Sequence, residues 1–296
     1  MPMKKIVPHL WFDTQAKEAA NLYVDSFGNG SKILHHSVIK DTPSGDCDFF
    51  TINLLGEDFQ LISAGPYFKL NPSISFAVAL ETTDEVDALH AKLSKDGKIL
   101  MELAEYPFSK RYSWIEDKYG VSWQIMHSAQ AIVQKITPTL MFVGGVCGKS
   151  EEAINFYTSI FKNAQPGFMI RYEEGEAPDK AGTIRYGAFQ LEGQQFASMD
   201  SARMHDFGFN EAVSLIVRCE SQEEIDYYWE KLSAVPESEQ CGWLKDRFGV
   251  SWQITPIAME AMMQSSNPEQ LARVTQSFLK MKKFDVAELQ RAYEGK

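Results

Sequence analysis

The segment Trp114-Ile115-Glu116-Asp117-Lys118-Tyr119-Gly120-Val121-Ser122-Trp123-Gln124-Ile125 returns as Trp243-Leu244-Lys245-Asp246-Arg247-Phe248-Gly249-Val250-Ser251-Trp252-Gln253-Ile254. Two copies this close mean a duplicated unit, so the fold must be sought in half the chain. The copy also reads as a hairpin. Apolar runs flank Asp-x-x-Gly, where Asp can bond its own backbone and Gly supplies the positive φ that closes the turn. On the outgoing strand Val121, Trp123 and Ile125 point one way, and Ser122 and Gln124 the other. The alternation predicts Trp123 and Trp252 in a helix-covered core, with Gln124 and Gln253 on the opposite sheet face.

The duplication extends beyond the hairpin. Residues 6–12 align with 136–142, 18–23 with 152–157, 56–59 with 193–196, and 75–78 with 214–217. Each half divides again into strand, amphipathic helix and three strands. This gives four βαβββ modules, at about 4–66, 72–128, 134–201 and 211–256. The fourth is shortened, because Leu232 to Trp243 is about half the interval from Leu93 to Trp114. Thr83 is read as the N-cap of the second module's helix. The expected fold is α+β, with the modules paired into two cupped mixed sheets whose convex faces carry the helices. The expected domains are 1–130 and 134–256, followed by a helical tail at 257–296. Thr255-Pro256 and Asn267-Pro268 read as helix starts, and Asp285 as the cap of a last helix. The tail's apolar stripe must be covered by the two domains or by a second subunit, and a homodimer is expected on that ground.

Composition narrows the functional classes. Net charge is −11 with no Lys/Arg-rich block, which argues against nucleic acid and anionic membrane surfaces as partners. No apolar run approaches a membrane span, and Met1-Pro2-Met3-Lys4-Lys5 is not followed by the apolar stretch of a secretion signal. Cys47, Cys147, Cys219 and Cys241 lie far apart, as expected of reduced thiols in a cytoplasmic protein. There is no phosphate-binding Gly-rich loop, nucleophile elbow or dinucleotide fingerprint.

Paired βαβββ modules resemble the vicinal oxygen chelate superfamily, which includes glyoxalase I and the extradiol dioxygenases. The closer resemblance is to its PhnB-like branch, often labelled a 3-demethylubiquinone methyltransferase. It is carried by residues 150–157, 193–196, 198–201, 227–232 and 240–254, with a weaker version through 106–110 and 114–124, and by the tail at 280–287. The label implies methyl transfer, but the sequence offers no strand, Gly-rich turn and helix to hold S-adenosylmethionine. A methyltransferase is not expected.

The resemblance implies a divalent ion held by His and Glu on facing strands, gripping a substrate through two adjacent oxygens. The matching positions here are depleted. The final-strand Glu is replaced by Gln124 and Gln253, and the His opening the second module by Ser75 and Ser214. On the first strand stand His9 and Thr139. The fourth strand offers Leu61 or Ser63 in the first half, and Ser198 or Asp200 in the second. Within the halves, His9 would meet Gln124, and Asp200 would meet Gln253. Only His9 and Asp200 are metal-ligand candidates, and neither grouping makes a triad.

No cofactor is therefore assigned, with a divalent metal as the alternative. The leading expectation is a polar-lined cup that binds a small organic molecule. Trp114 and Trp243 either wall it or pack in the core. Any catalysis would be of the glyoxalase or dioxygenase kind. The other readings are a metal-dependent enzyme of that kind, a sequestering module, and a structural dimer whose cups fill with side chains. His205 lies between modules, as a surface residue or a cup-rim acid or base.

Overall fold

The computed structural model describes residues 3–265 and 267–296. Met1 and Pro2 of the N-terminal segment and Ser266 of the tail lie outside the described residues. The first module runs β1 (Ile6–Phe12), α1 (Ala16–Phe27), β2 (Lys32–Thr42), β3 (Gly45–Leu54) and β4 (Glu57–Ser63). The second runs β5 (Ile74–Leu80), α2 (Thr83–Leu93), β6 (Lys98–Tyr106), β7 (Ser109–Glu116) and β8 (Ser122–His127). The third comprises β9 (Ile136–Val143), α3 (Ser150–Ile160), β10 (Gln165–Arg171), β11 (Ile184–Leu191) and β12 (Gln194–Ser201). The fourth has β13 (Val213–Cys219), α4 (Gln222–Leu232), β14 (Trp243–Lys245) and β15 (Ser251–Pro256). The α2 cap is Thr82 rather than Thr83. Its hydroxyl accepts from Glu85 N while the Glu85 carboxylate accepts from Thr82 N, a reciprocal box that Thr83 is placed one residue too late to make.

The strands form two mixed sheets, in the orders β14-β15-β13-β1-β4-β3-β2 and β10-β11-β12-β9-β5-β8-β7-β6. The first sheet joins modules one and four, and the second joins modules two and three. Each bowl thus draws on both halves of the chain. The seams are antiparallel, with His9 opposite Ser214 between β1 and β13, and Ser75 opposite Thr139 between β5 and β9. This corrects two groupings. His9 shares a sheet with Gln253 rather than Gln124, and Asp200 shares one with Gln124 rather than Gln253.

The helix-covered faces share one core. Trp123 lies with its ring 5.3 Å from Tyr23 and 5.2 Å from Phe27 of α1. Trp252 is matched by Tyr157 and Phe161 beside α3, at 5.5 and 5.4 Å. Both hairpin turns are tied from inside. Asp117 Oδ1 accepts from Tyr119 N and Val121 N while its Oδ2 accepts from Trp123 Nε1. Asp246 repeats this with Phe248 N, Val250 N and Trp252 Nε1, and also accepts from the Tyr157 hydroxyl at 2.7 Å. Gly120 and Gly249 close the turns at φ +91° and +88°.

The tail adds α5 (Ile257–Met262), α6 (Pro268–Phe278) and α7 (Val286–Glu294), the last two capped by Asn267 and Asp285. Pro256 is the last residue of β15 and the cap of α5, so that helix begins one residue later than the Thr255-Pro256 reading. The tail folds onto the first sheet within the same chain. Phe278, Phe284, Val274, Met262 and Leu289 make a small core against Ile39 of β2 and Cys241.

The tail also explains the short fourth module. In the second sheet β6 covers β7, with Met101 opposite Trp114 and Ala104 opposite Tyr112. The fourth module has no counterpart of β6. In its place Cys241 N donates to Met281 O at 2.8 Å and Gly242 N to Lys282 O at 2.7 Å. Tail backbone stands where the trimmed strand would pair.

Candidate functional site

On the first sheet the face away from the helices carries His9 of β1, Gln60 of β4, Ser214 of β13 and Gln253 of β15. Gln60 was missed because β4 was read one residue out of register, which exchanges its two faces. Phe59 and Leu61 are buried in the core, so Gln60 must face the bowl. That alternation was the available signal. Ser63 turns to the helices, where its hydroxyl accepts from Ala16 N at 3.0 Å.

The same slip removes Ser198 from the cavity candidates, and Asp200, which borders the cleft of the second bowl, turns its carboxylate to the start of α3. Ser198 Oγ lies 2.6 Å from Ser150 Oγ at the start of α3. Asp200 Oδ1 accepts from Gly148 N and Ser150 N at 2.7 and 3.1 Å, and its Oδ2 from Ile184 N at 2.9 Å. Burial raises its pKa, against the pull of those three N–H groups. Asp200 ties α3 to the sheet, with both carboxylate oxygens engaged by backbone N–H groups.

His9 is 3% exposed, and its buried Nδ1 has no hydrogen-bond partner among the described residues. Burial pushes its pKa down to about 3, so the imidazole is neutral at ordinary pH. The Trp243 ring meets it edge-on at 5.4 Å. Gln253 Nε2 donates to Ser214 Oγ at 2.9 Å, and Gln124 Nε2 donates to Ser75 Oγ at 2.8 Å. The Gln–Ser pairing across the sheet therefore holds in both copies. The copies differ at the other end of the amide. Gln124 Oε1 accepts from the Tyr112 hydroxyl at 2.9 Å, but the repeat places Cys241 where Tyr112 stands. Among the described residues Gln253 Oε1 has no partner, and no hydrogen bond engages the Gln60 amide.

His9, Gln60 and Gln253 line a cavity of about 180 Å³, walled by Trp11 and Trp243 and bounded by Met259, Phe278 and Phe284 of the tail. Trp11 is held by its Nε1, which donates to Gly65 O at 2.8 Å. Glu260 also reaches the cavity, but its carboxylate accepts from the buried Arg218 Nε at 2.8 Å. The lining includes two imidazoles, His9 and His35, the Cys241 thiol and the Glu260 carboxylate, but a Zn, Ni or Fe(II) site needs several such donors converging on one point. No three His, Cys, Asp or Glu side chains gather for a metal among the described residues.

In the second bowl Ser75, Gln124 and Thr139 are buried and bonded within the sheet, Thr139 Oγ1 donating to Thr137 O at 3.3 Å. They lie outside the larger cleft there, which Trp114 lines with its Nε1 donating to Ser122 Oγ. Both Trp114 and Trp243 are thus cavity walls. His205 stands at the rim of that cleft, its Nε2 2.9 Å from Ser201 Oγ and its pKa lowered, mainly by burial.

The family described as 3-demethylubiquinone-9 3-methyltransferase matches residues 4–126 and again 134–255. A putative 3-demethylubiquinone-9 3-methyltransferase, PhnB protein, from Bacillus cereus is 37% identical over 42% of this chain and 100% of its own, with a TM-score of 0.40. Glyoxalase I from Zea mays is 11% identical over 88% of this chain and 98% of its own, with a TM-score of 0.53. That similarity extends the shared fold across both sheets. No curated protein matches the chain.

Proposed function

Because the chain belongs to the PhnB-like branch of the vicinal oxygen chelate superfamily, we propose that its first bowl binds a small, uncharged organic molecule. The observation that carries this reading is the convergence of neutral polar groups with open hydrogen-bonding capacity on one aromatic-walled cavity. His9 and the amides of Gln60 and Gln253 fix orientation, and Trp11 and Trp243 hold a flat or apolar body. A cavity of about 180 Å³ suits a compound of roughly ten non-hydrogen atoms, below the usual range for drug-sized ligands. The donor set gives no support to metal-assisted chemistry. The mixed sheets give none to the methyl transfer in the family's description, because the doubly wound parallel sheet of nucleotide-type cofactor sites is a different architecture.

Native mass spectrometry of the purified chain, with tryptophan fluorescence titrations of small aromatic amides and phenols, tests the reading. A copurifying small molecule, or a saturable fluorescence change abolished by Gln253→Leu, supports it. If neither appears, the reading fails. The tail side chains Phe278 and Phe284 favour a second reading, in which the first bowl is a packed structural element. Full stability with no ligand of any kind would then be observed.

A further inference from the structure

The second bowl holds a different kind of space. Where β6, β7, β9 and β12 meet the linkers 64–73 and 202–212, a cleft of about 1040 Å³ opens. Met101, Met141, Met199 and Trp114 line it on the sheet side. Thioethers are polarisable and adapt their rotamers, so such a wall accepts flat and aliphatic bodies alike.

The ionic rim is uneven. Lys98 pairs with Glu116 at 3.7 Å, and the Asp200 carboxylate is engaged by α3. Lys69, Arg203 and Asp206 remain, and among the described residues neither Lys69 nor Arg203 has a carboxylate within ion-pair distance. Two exposed, unpaired cations on one cleft stand out in a chain of net charge −11, where carboxylates outnumber basic groups. The rim is also held in place. Asn71 Nδ2 donates to Gly208 O at 3.1 Å and Asn210 Nδ2 donates to Lys69 O at 2.9 Å, which pins the two linkers to each other.

We infer that this cleft binds an amphipathic small-molecule anion, with its apolar body on the methionines and Trp114 and its acidic head between Lys69 and Arg203. The ligand differs in charge and size from that proposed for the first bowl, and no residue is shared between the two.

Two fluorescent probes differing by one charged group test this: anilinonaphthalene sulfonate and its uncharged parent, phenylnaphthylamine. The full chain should bind the sulfonate saturably and at least tenfold more tightly than the parent. The double variant Lys69→Glu, Arg203→Glu should lose tenfold or more in sulfonate affinity, with the parent's affinity unchanged. Both positions are exposed, so the fold should survive, and an unaltered near-ultraviolet circular dichroism spectrum checks that. Equal binding of the two probes, no saturable binding, or indifference to charge reversal would each overturn the inference. Because His9, Gln60 and Gln253 are untouched, failure here leaves the first bowl's reading standing, and the reverse holds.

Discussion

Asn71 and Asn210 mirror each other across the joint between the sheets. Each amide crosses to the other's linker, to Gly208 O and Lys69 O, and each carbonyl accepts from a backbone N–H two residues on, Ser73 N and Ala212 N at 2.8 Å. Removing either side chain leaves backbone groups on both linkers without a partner. Asn71→Ala and Asn210→Ala should each cost about 1–2 kcal/mol, read from the urea midpoint. A markedly smaller loss at either position would mean that water replaces these bonds freely.

The two bowl glutamines should respond differently to one substitution. Gln124→Leu strands the Tyr112 hydroxyl and Ser75 Oγ in a buried site and should cost about 2–3 kcal/mol. Gln253→Leu strands only Ser214 Oγ beside a cavity and should cost about 1 kcal/mol. Chemical denaturation of both variants decides it. Equal losses would contradict the difference between Tyr112 and Cys241 described above.

His9 should make stability depend on pH. Its folded pKa of about 3 lies below the ordinary imidazole value of 6.5, so between those values the unfolded chain binds a proton that the folded chain does not. The contribution is fully present above pH ~6.5 and is lost as pH falls toward 3, at about 1 kcal/mol per pH unit. Urea midpoints at pH 7 and pH 5 should differ less in His9→Gln than in the parent. An unchanged slope would show that His9 titrates normally.

Gly242 lies at φ +82°, and an added Cβ would collide with the Phe284 ring. Gly242→Ala should therefore push the tail from the edge of β14. Hydrogen exchange should rise across residues 278–294 while Trp123 and Trp252 stay protected. Exchange confined to residues 240–245 would show that the tail accommodates the methyl.

Much of this was legible in the chain. The alternation Val-Ser-Trp-Gln-Ile placed Trp123 and Trp252 in the core and Gln124 and Gln253 on the open face, because a strand's period of two leaves no other choice. The Asp-x-x-Gly turns were equally local. The pairing of modules was not, since a strand's pattern states which face is buried and not which strand lies beside it. His9 was grouped with Gln124 on that account. Register failed at β4 and β12, where Ser63 and Ser198 resembled cavity residues and the Asp200 carboxylate resembled a free ligand although backbone N–H groups engage it. Short polar side chains suit a helix N-terminus as well as a cup, and only the neighbouring Phe59 and Leu61 distinguish the two. The tail's seat on the first sheet depends on a missing strand that the sequence announced only as a shortened interval.

The copied unit and the working unit of this protein do not coincide. Duplication repeated residues 4–126 as 134–255, yet a complete bowl needs β1 beside β13 or β5 beside β9. Nicking the exposed stretch from Ala129 to Ala131 would sever the chain without freeing either half, since each fragment would own two half-bowls and complete neither. The duplicates can diverge in sequence, as Tyr112 and Cys241 have done, but each must keep a surface that fits its sibling.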